Sequence, residues 1–459
     1  MPSISDDAAP TSAPAPSSTD QRRYLITLLL AAALGVPAAI GALLLTTGLH
    51  GLEDLLWTEL PDAAGWSEPP AWLVILIPMV GGALVAAALR MPGGGGHEAI
   101  NGLSTDPTPL AHLPGLLLAA FASISFGLVV GPEAPLLAIG LALGALAGDL
   151  AGRGEQERAI LALAGGFAAM AALFGGPLAV ALMLLELTAM TGKFPSQMLP
   201  KLLVPGFLAA GVSTLLFTGV RDWDGIEAMQ LALPNLPAYP TVRIADVLWT
   251  VPVALAAALV SALTMRGAWA LRAARVGWPS GAVLVSGGAL VGLIAVLARE
   301  IGGDPIGDIL FSGQSAIPVL MAETSGTVLA VALIGKALAF TVTLAAGFRG
   351  GPIFPNVTLG VMVGMLAAVA LGGPEIAPAV IAGVAAGAAA QVRAPFFGAL
   401  LATLLAGSAS ADLMPIAVIA AVLAWLVASA VDARFPVGPA ADGAAGPAPG
   451  SSAGAPTPA

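Results

Sequence analysis

The chain has 459 residues, of which 58% are hydrophobic and only 10% charged, and its mean hydropathy of +0.93 lies far from the values of a soluble domain. These values exclude a soluble globular protein; the formal net charge of -10 says little about a partner, and nothing in the sequence suggests nucleic acid. No cysteine is present, so disulfides and thiolate-held metals are excluded.

Residues 1–21 are rich in Ala, Pro and Ser and are expected to form a disordered cytoplasmic tail, because they hold too little apolar surface to offset ordering entropy. Arg22 and Arg23 then precede a charge-free run, 24–48, that is too long for a signal peptide and is read as a retained membrane helix. The basic pair places the N-terminus in the cytoplasm. The next connection, HGLEDLLWTELPDAAGWSEPPAW, has five acids, three Trp and no Lys or Arg, and is read as an outer loop. Further runs at 71–89, 159–185, 245–265 and 279–298, free of charge apart from Asp246, are long enough to cross a hydrocarbon core of about 30 Å. Arg90 ends the second span inside, and Arg266, Arg272 and Arg275 mark 266–278 as cytoplasmic. Residues 436–459 form a second low-complexity tail, so no nucleotide-binding domain and no regulation by adenine nucleotides are expected. The chain reads as an all-α polytopic protein of the cell membrane.

Three Gly/Pro-rich interruptions, MPGGGGHEAINGL (91–103), GPEAP (131–135) and FRGGPIFPN (348–356), sit beside or between hydrophobic runs. Broken helices at membrane depth are tolerated where the freed backbone lines a cavity. Their N-termini carry unpaired N–H groups and the positive end of the helix dipole, so several that converge form an anion site without a cation. The segment 174–190 resembles 392–408, and 131–148 resembles 350–366. The spanning region, 22–435, therefore reads as two halves, about 22–220 and 245–435, which the charge pattern makes inverted repeats.

GPEAP resembles the GREGP pattern of the ClC family of chloride channels and proton-coupled chloride transporters. Gly93–His97 resembles the family's GSGIP, Gly350–Pro355 its GGxFxP, and FGGPLA and VRAPFFG its FNAPLAG and VRAPLTG. The resemblance implies transport of chloride or another small anion, with fluoride and nitrate as alternatives, by a channel-like or proton-coupled route in a lipid-embedded homodimer. It makes Glu133 the gate, and it places anion contacts at Gly93, Gly94, Gly95, Gly96, Gly131, Ala134, Ile353 and Phe354. A non-transporting membrane subunit is the alternative from another class.

Departures from the family pattern bear on mechanism. The family's anion-binding serine falls on Gly94, its closing tyrosine has no counterpart among Tyr24 and Tyr239, and Pro352 has no N–H to donate. The family exchangers' second glutamate aligns with Leu187, next to Glu186, and leucine carries no proton. Glu186 and His97 are the remaining stations for a proton route. Lys336 and Arg349 either raise the positive potential along the pathway or reach to an interface. No His/Asp/Glu grouping has metal-ligand spacing, MPGGGGHEA lacks the Lys-Ser/Thr of a P-loop, and no nucleophile motif occurs, so neither enzyme activity nor a cofactor is expected.

Overall fold

The computed structural model describes residues 18–191, 199–220, 233, 236–239, 241–303, 305–372, 374–407 and 411–437. The tails expected to be disordered fall outside the described residues over 1–17 and 438–459. In the first half the helices are α1 (Ser18–Asp54), α2 (Leu60–Ala63), α3 (Ala71–Ala88), α4 (Leu113–Ile124), α5 (Glu133–Leu150), α6 (Glu155–Phe174), α7 (Pro177–Thr191) and α8 (Leu199–Val220). The second half holds α9 (Ile244–Ala274), α10 (Ser280–Gly302), α11 (Ile306–Ile309), α12 (Ile317–Ala322), α13 (Gly326–Ala346), α14 (Ile353–Leu371), α15 (Ile376–Val392), α16 (Pro395–Leu405) and α17 (Met414–Arg434). Ten helices among the described residues are long and apolar enough to cross a membrane, and no named strand occurs among those residues.

Two expectations need correction. The run 159–185 is not one span, because Gly175 adopts a left-handed φ of 65° after α6 and Pro177 opens α7. The acidic connection after α1 is also less of a loop than its charge suggested. Helix α1 passes into a π-helical turn at Leu55–Glu59, and Trp57 on that turn is buried, donating its indole N–H to the Ser125 carbonyl at 3.0 Å and meeting the Phe311 ring edge-on. An aromatic body with one polar handle suits such an anchor.

With no hydrophobic drive between helices in lipid, close approach depends on small residues. A Cβ at Gly140 or Gly144 of α5 would fall on the backbone of α6, and one at Gly360 or Gly364 of α14 on the backbone of α15. Gly82 of α3 and Gly288 and Gly292 of α10 seal a third pair of helices in the same way. These glycines fall at one spacing from the two GP motifs: 131, 140 and 144 in the first half match 351, 360 and 364 in the second. The proline pairs 132 with 352 and 135 with 355 share that spacing. GPEAP is thus matched by GPIFP, and Ile353 stands where the first half has Glu133.

Gly140→Ala and Gly360→Ala are each expected to destabilise the protein by about 1–3 kcal/mol through overpacking. Thermal unfolding of the purified protein in detergent should show both melting below wild type, whereas Gly211→Ala on α8, where an added Cβ meets nothing within 4 Å, should not melt lower.

Candidate functional site

The two GP motifs meet. The Gly131 N–H donates to the Gly351 carbonyl at 2.7 Å and the Gly351 N–H donates to the Gly131 carbonyl at 2.6 Å, so α5 and α14 start side by side. A Cβ on either glycine would collide with the Glu133 carboxyl, so a larger residue at either place would push that carboxyl from its position. Pro132 and Pro352 cap the two helices, where the N–H that proline lacks is not missed.

Glu133 is fully buried. Its Oε1 accepts the Phe354 N–H from α14 at 2.6 Å, the N–H groups of Ile353 and of Glu133 itself face the same carboxyl, and Oε2 has no hydrogen-bond partner. Backbone amides of two helix starts, rather than a basic side chain, surround this acid.

A cavity of about 330 Å³ reaches the first turn of α5. Gly93, Gly95, Gly96, His97, Ala134 and Gly350 line it, together with His112, Arg349 and the segment 106–109. Glycines 93 to 96 all have positive φ, between 56° and 85°, which explains the unbroken glycine run. Gly94 does not line the cavity; its carbonyl accepts a guanidinium N–H of Arg349 at 3.2 Å. Gly131, Ile353 and Phe354 belong instead to the paired helix starts around Glu133.

Arg349 does not reach to an interface. It is buried, its backbone N–H donates to Ser123 Oγ at 3.1 Å, and its guanidinium lies 3.5 Å from the Glu98 carboxylate. Arg272 pairs with the same Glu98 at 2.5 Å. Arg275 donates to the Ala345 carbonyl at 2.9 Å, and burial, then the Arg272 charge, push its guanidinium below the ordinary range while Glu98 opposes them. The available signal was position: Arg349 directly precedes the Gly350-Gly351 pair.

The remaining polar residues lie elsewhere. Glu186 of α7 does not line the cavity; its two carboxylate oxygens accept the N–H groups of Phe396 and Phe397 at 3.0 and 2.9 Å, at the start of α16. Lys336 is fully buried and does not reach an interface; its ammonium donates to the carbonyls of Asp308, Ile309, Leu310 and Phe311 at 3.0 to 3.5 Å. The Tyr239 hydroxyl is bonded to Asp246 at the start of α9.

Residues 81–429 match the family described as Voltage gated chloride channel. The chain belongs to this family. It is 29% identical over 356 residues to a relative in Escherichia coli (strain SE11) named "Putative ion-transport protein YfeO", which spans 75% of this chain and 79% of the relative. A protein of the same name in Shigella boydii serotype 4 (strain Sb227) is 30% identical over the same shares. Among solved structures, a slow cyanobacterial Cl-/H+ antiporter superposes with a TM-score of 0.75 at 21% identity, covering 88% of this chain and 94% of the other. A CLC-type fluoride/proton antiporter gives 0.69 at 18% identity, covering 91% and 98%. These likenesses show the fold, and the family assignment makes the chain a multi-span membrane protein of an anion-transporting family.

Glu186→Ala removes the acceptor of two helix-start amides and should cost about 1 kcal/mol, within the range of lost helix caps. A lower melting temperature in detergent, restored in part by Glu186→Gln, is the expected result.

Proposed function

We propose that this member of the family conducts small anions, chloride first, through a channel-like pathway in which Glu133 is the gate. The observation that carries the reading is the Glu133 carboxylate held by the Phe354 amide between two helix starts beside a cavity. An anion is what such amides favour, and the carboxylate occupies the place an anion would take. Protonation or a competing anion would displace it. The pairing of the two halves about the Gly131–Gly351 contact supports inverted repeats, with both ends of the pathway meeting at this point. A homodimer with one pathway per subunit and a cytoplasmic N-terminus belong to the same reading.

Leu187 and the surroundings of Glu186 favour a passive route over tight proton exchange. Between the Glu186 cap and the Glu133 gate run the packed rings of Phe397, Phe174 and Phe354, with centroids 5.5 and 5.3 Å apart. A proton crossing that block needs a titratable or water-bearing station, and an unpaired charge there costs several kcal/mol. Glu186 is meanwhile engaged in holding the start of α16.

Glu133→Gln keeps an acceptor for the Phe354 amide but removes the charge, so passive chloride flux from liposomes should rise severalfold and lose its dependence on external pH. Flux and pH dependence unchanged from wild type would count against the gate.

Wild-type liposomes should dissipate a chloride gradient without driving protons uphill, whereas Leu187→Glu introduces partial coupling. Uphill proton movement in the wild type would replace the channel-like reading with an exchanger, and complete absence of anion flux would favour a non-transporting subunit.

A further inference from the structure

Between α9, α13 and α14 runs another cavity, of about 460 Å³, whose eleven lining residues are all apolar. The small side chains of Ala256, Ala367 and Ala370 give it depth, and Trp249, Val260 and Leu333 bound it. It is open along α9, where Pro252 and Ala256 are exposed beside the exposed Leu248, Leu255 and Leu259. All three helices are of spanning length, so the opening faces bilayer hydrocarbon.

Size selects what can fill this groove. Trp249 and Val260 lie on one helix and both line it, so it runs for about 16 Å at the α-helical rise. That is close to half of a hydrocarbon core of about 30 Å, the depth of one leaflet. Spread over this length, 460 Å³ leaves a channel roughly 6 Å across, narrower than the roughly 10–12 Å of a helix with its side chains. One hydrocarbon chain fits such a space, and a second helix does not.

The end at which α9 begins supplies what a lipid headgroup meets. Leu371, the last residue of α14, lines the groove there, and Trp249 sets at the same end an aromatic ring with one polar edge, a residue type favoured at membrane–water boundaries. Beyond Trp249, about 9 Å further out along the chain of α9, the Arg243 guanidinium donates to Glu375 at 2.7 Å and to the Tyr239 hydroxyl at 3.0 Å. It remains 59% exposed. An exposed guanidinium above an apolar slot matches a phosphate joined to an aliphatic tail.

We infer that this groove is a lipid site, holding one acyl chain of a phospholipid in the leaflet where α9 begins, with the phosphate facing Arg243. The assignment is independent of the gate reading for Glu133. Its bearing on the centre of the molecule follows from α14, which forms one wall of the groove and whose first turn supplies the Phe354 amide to Glu133. Helices in lipid are held by van der Waals contact, so the bound chain is part of what seats α14 against α9.

The test uses the full chain. In nanodiscs of phosphatidylglycerol, cryo-electron microscopy of the wild type should show tubular density from Trp249 to Val260 with headgroup density beside Arg243, a readout that needs no variant. Native mass spectrometry from detergent should find phospholipid retained by the wild type, and at least about tenfold less in Ala256→Trp, which fills the groove from α9. Ala370→Leu, which fills it from α14, should act in the same direction, and Arg243→Gln should weaken retention while leaving the tail density in place. An empty groove, a groove occupied by protein side chains from this chain or a second copy, or phospholipid retained equally by well-folded Ala256→Trp and Ala370→Leu would overturn the assignment.

Discussion

A buried carboxylate held by backbone amides alone is the constraint around which this molecule is arranged. Glu133 has no basic partner; it has the Phe354 N–H and the positive ends of two helices. For those ends to meet, α5 and α14 must start within hydrogen-bonding reach of each other, which the reciprocal Gly131–Gly351 bonds provide. The helices behind them must pack backbone to backbone, which Gly140, Gly144, Gly360 and Gly364 permit. The high glycine content therefore serves geometry at the centre as much as helix association in general.

The same principle recurs with the opposite sign at Lys336. Its ammonium sits in a cage of four carbonyls where α11 ends, as Glu133 sits among amides where α14 begins. Glu133 and Lys336 are thus both met by backbone dipoles, with the Asp308 charge acting beside the carbonyls at Lys336, while buried Arg349 is met by the Glu98 carboxylate. Glu186 repeats the backbone solution at the start of α16, again with an acid of the first half serving a helix of the second.

Much of this was legible in the sequence because the signals are one-dimensional. Uninterrupted apolar runs, the isolated acid in GPEAP and the echo of GP motifs all follow from chain order, and most of the spans appear where those signals place them. The break between α6 and α7 was hidden because Gly175 and Pro177 carry no charge to interrupt the run. The anchoring of Trp57 on Ser125 was hidden because an inward contact leaves no mark in an acidic stretch. Lys336 and Arg349 were undecided because the meaning of a buried cation lies in what surrounds it: carbonyls from residues 308–311 for one, Glu98 and the Gly94 carbonyl for the other. Such partners are set by tertiary contact and leave no periodic trace.

Ile353 occupies in the second half the position that Glu133 holds in the first. Two acids at these mirrored places would contend for the same few amides, and mutual repulsion would keep one of them protonated. With a single acid, an almost two-fold framework carries one ionisable arm. In an inverted arrangement the two halves look out on opposite compartments, so the lone arm gives the site a polarity that its scaffold lacks. On the gate reading proposed for Glu133, acidification from the side that this arm faces would open the path and the same acidification from the other side would not, an asymmetry that rests on one side chain.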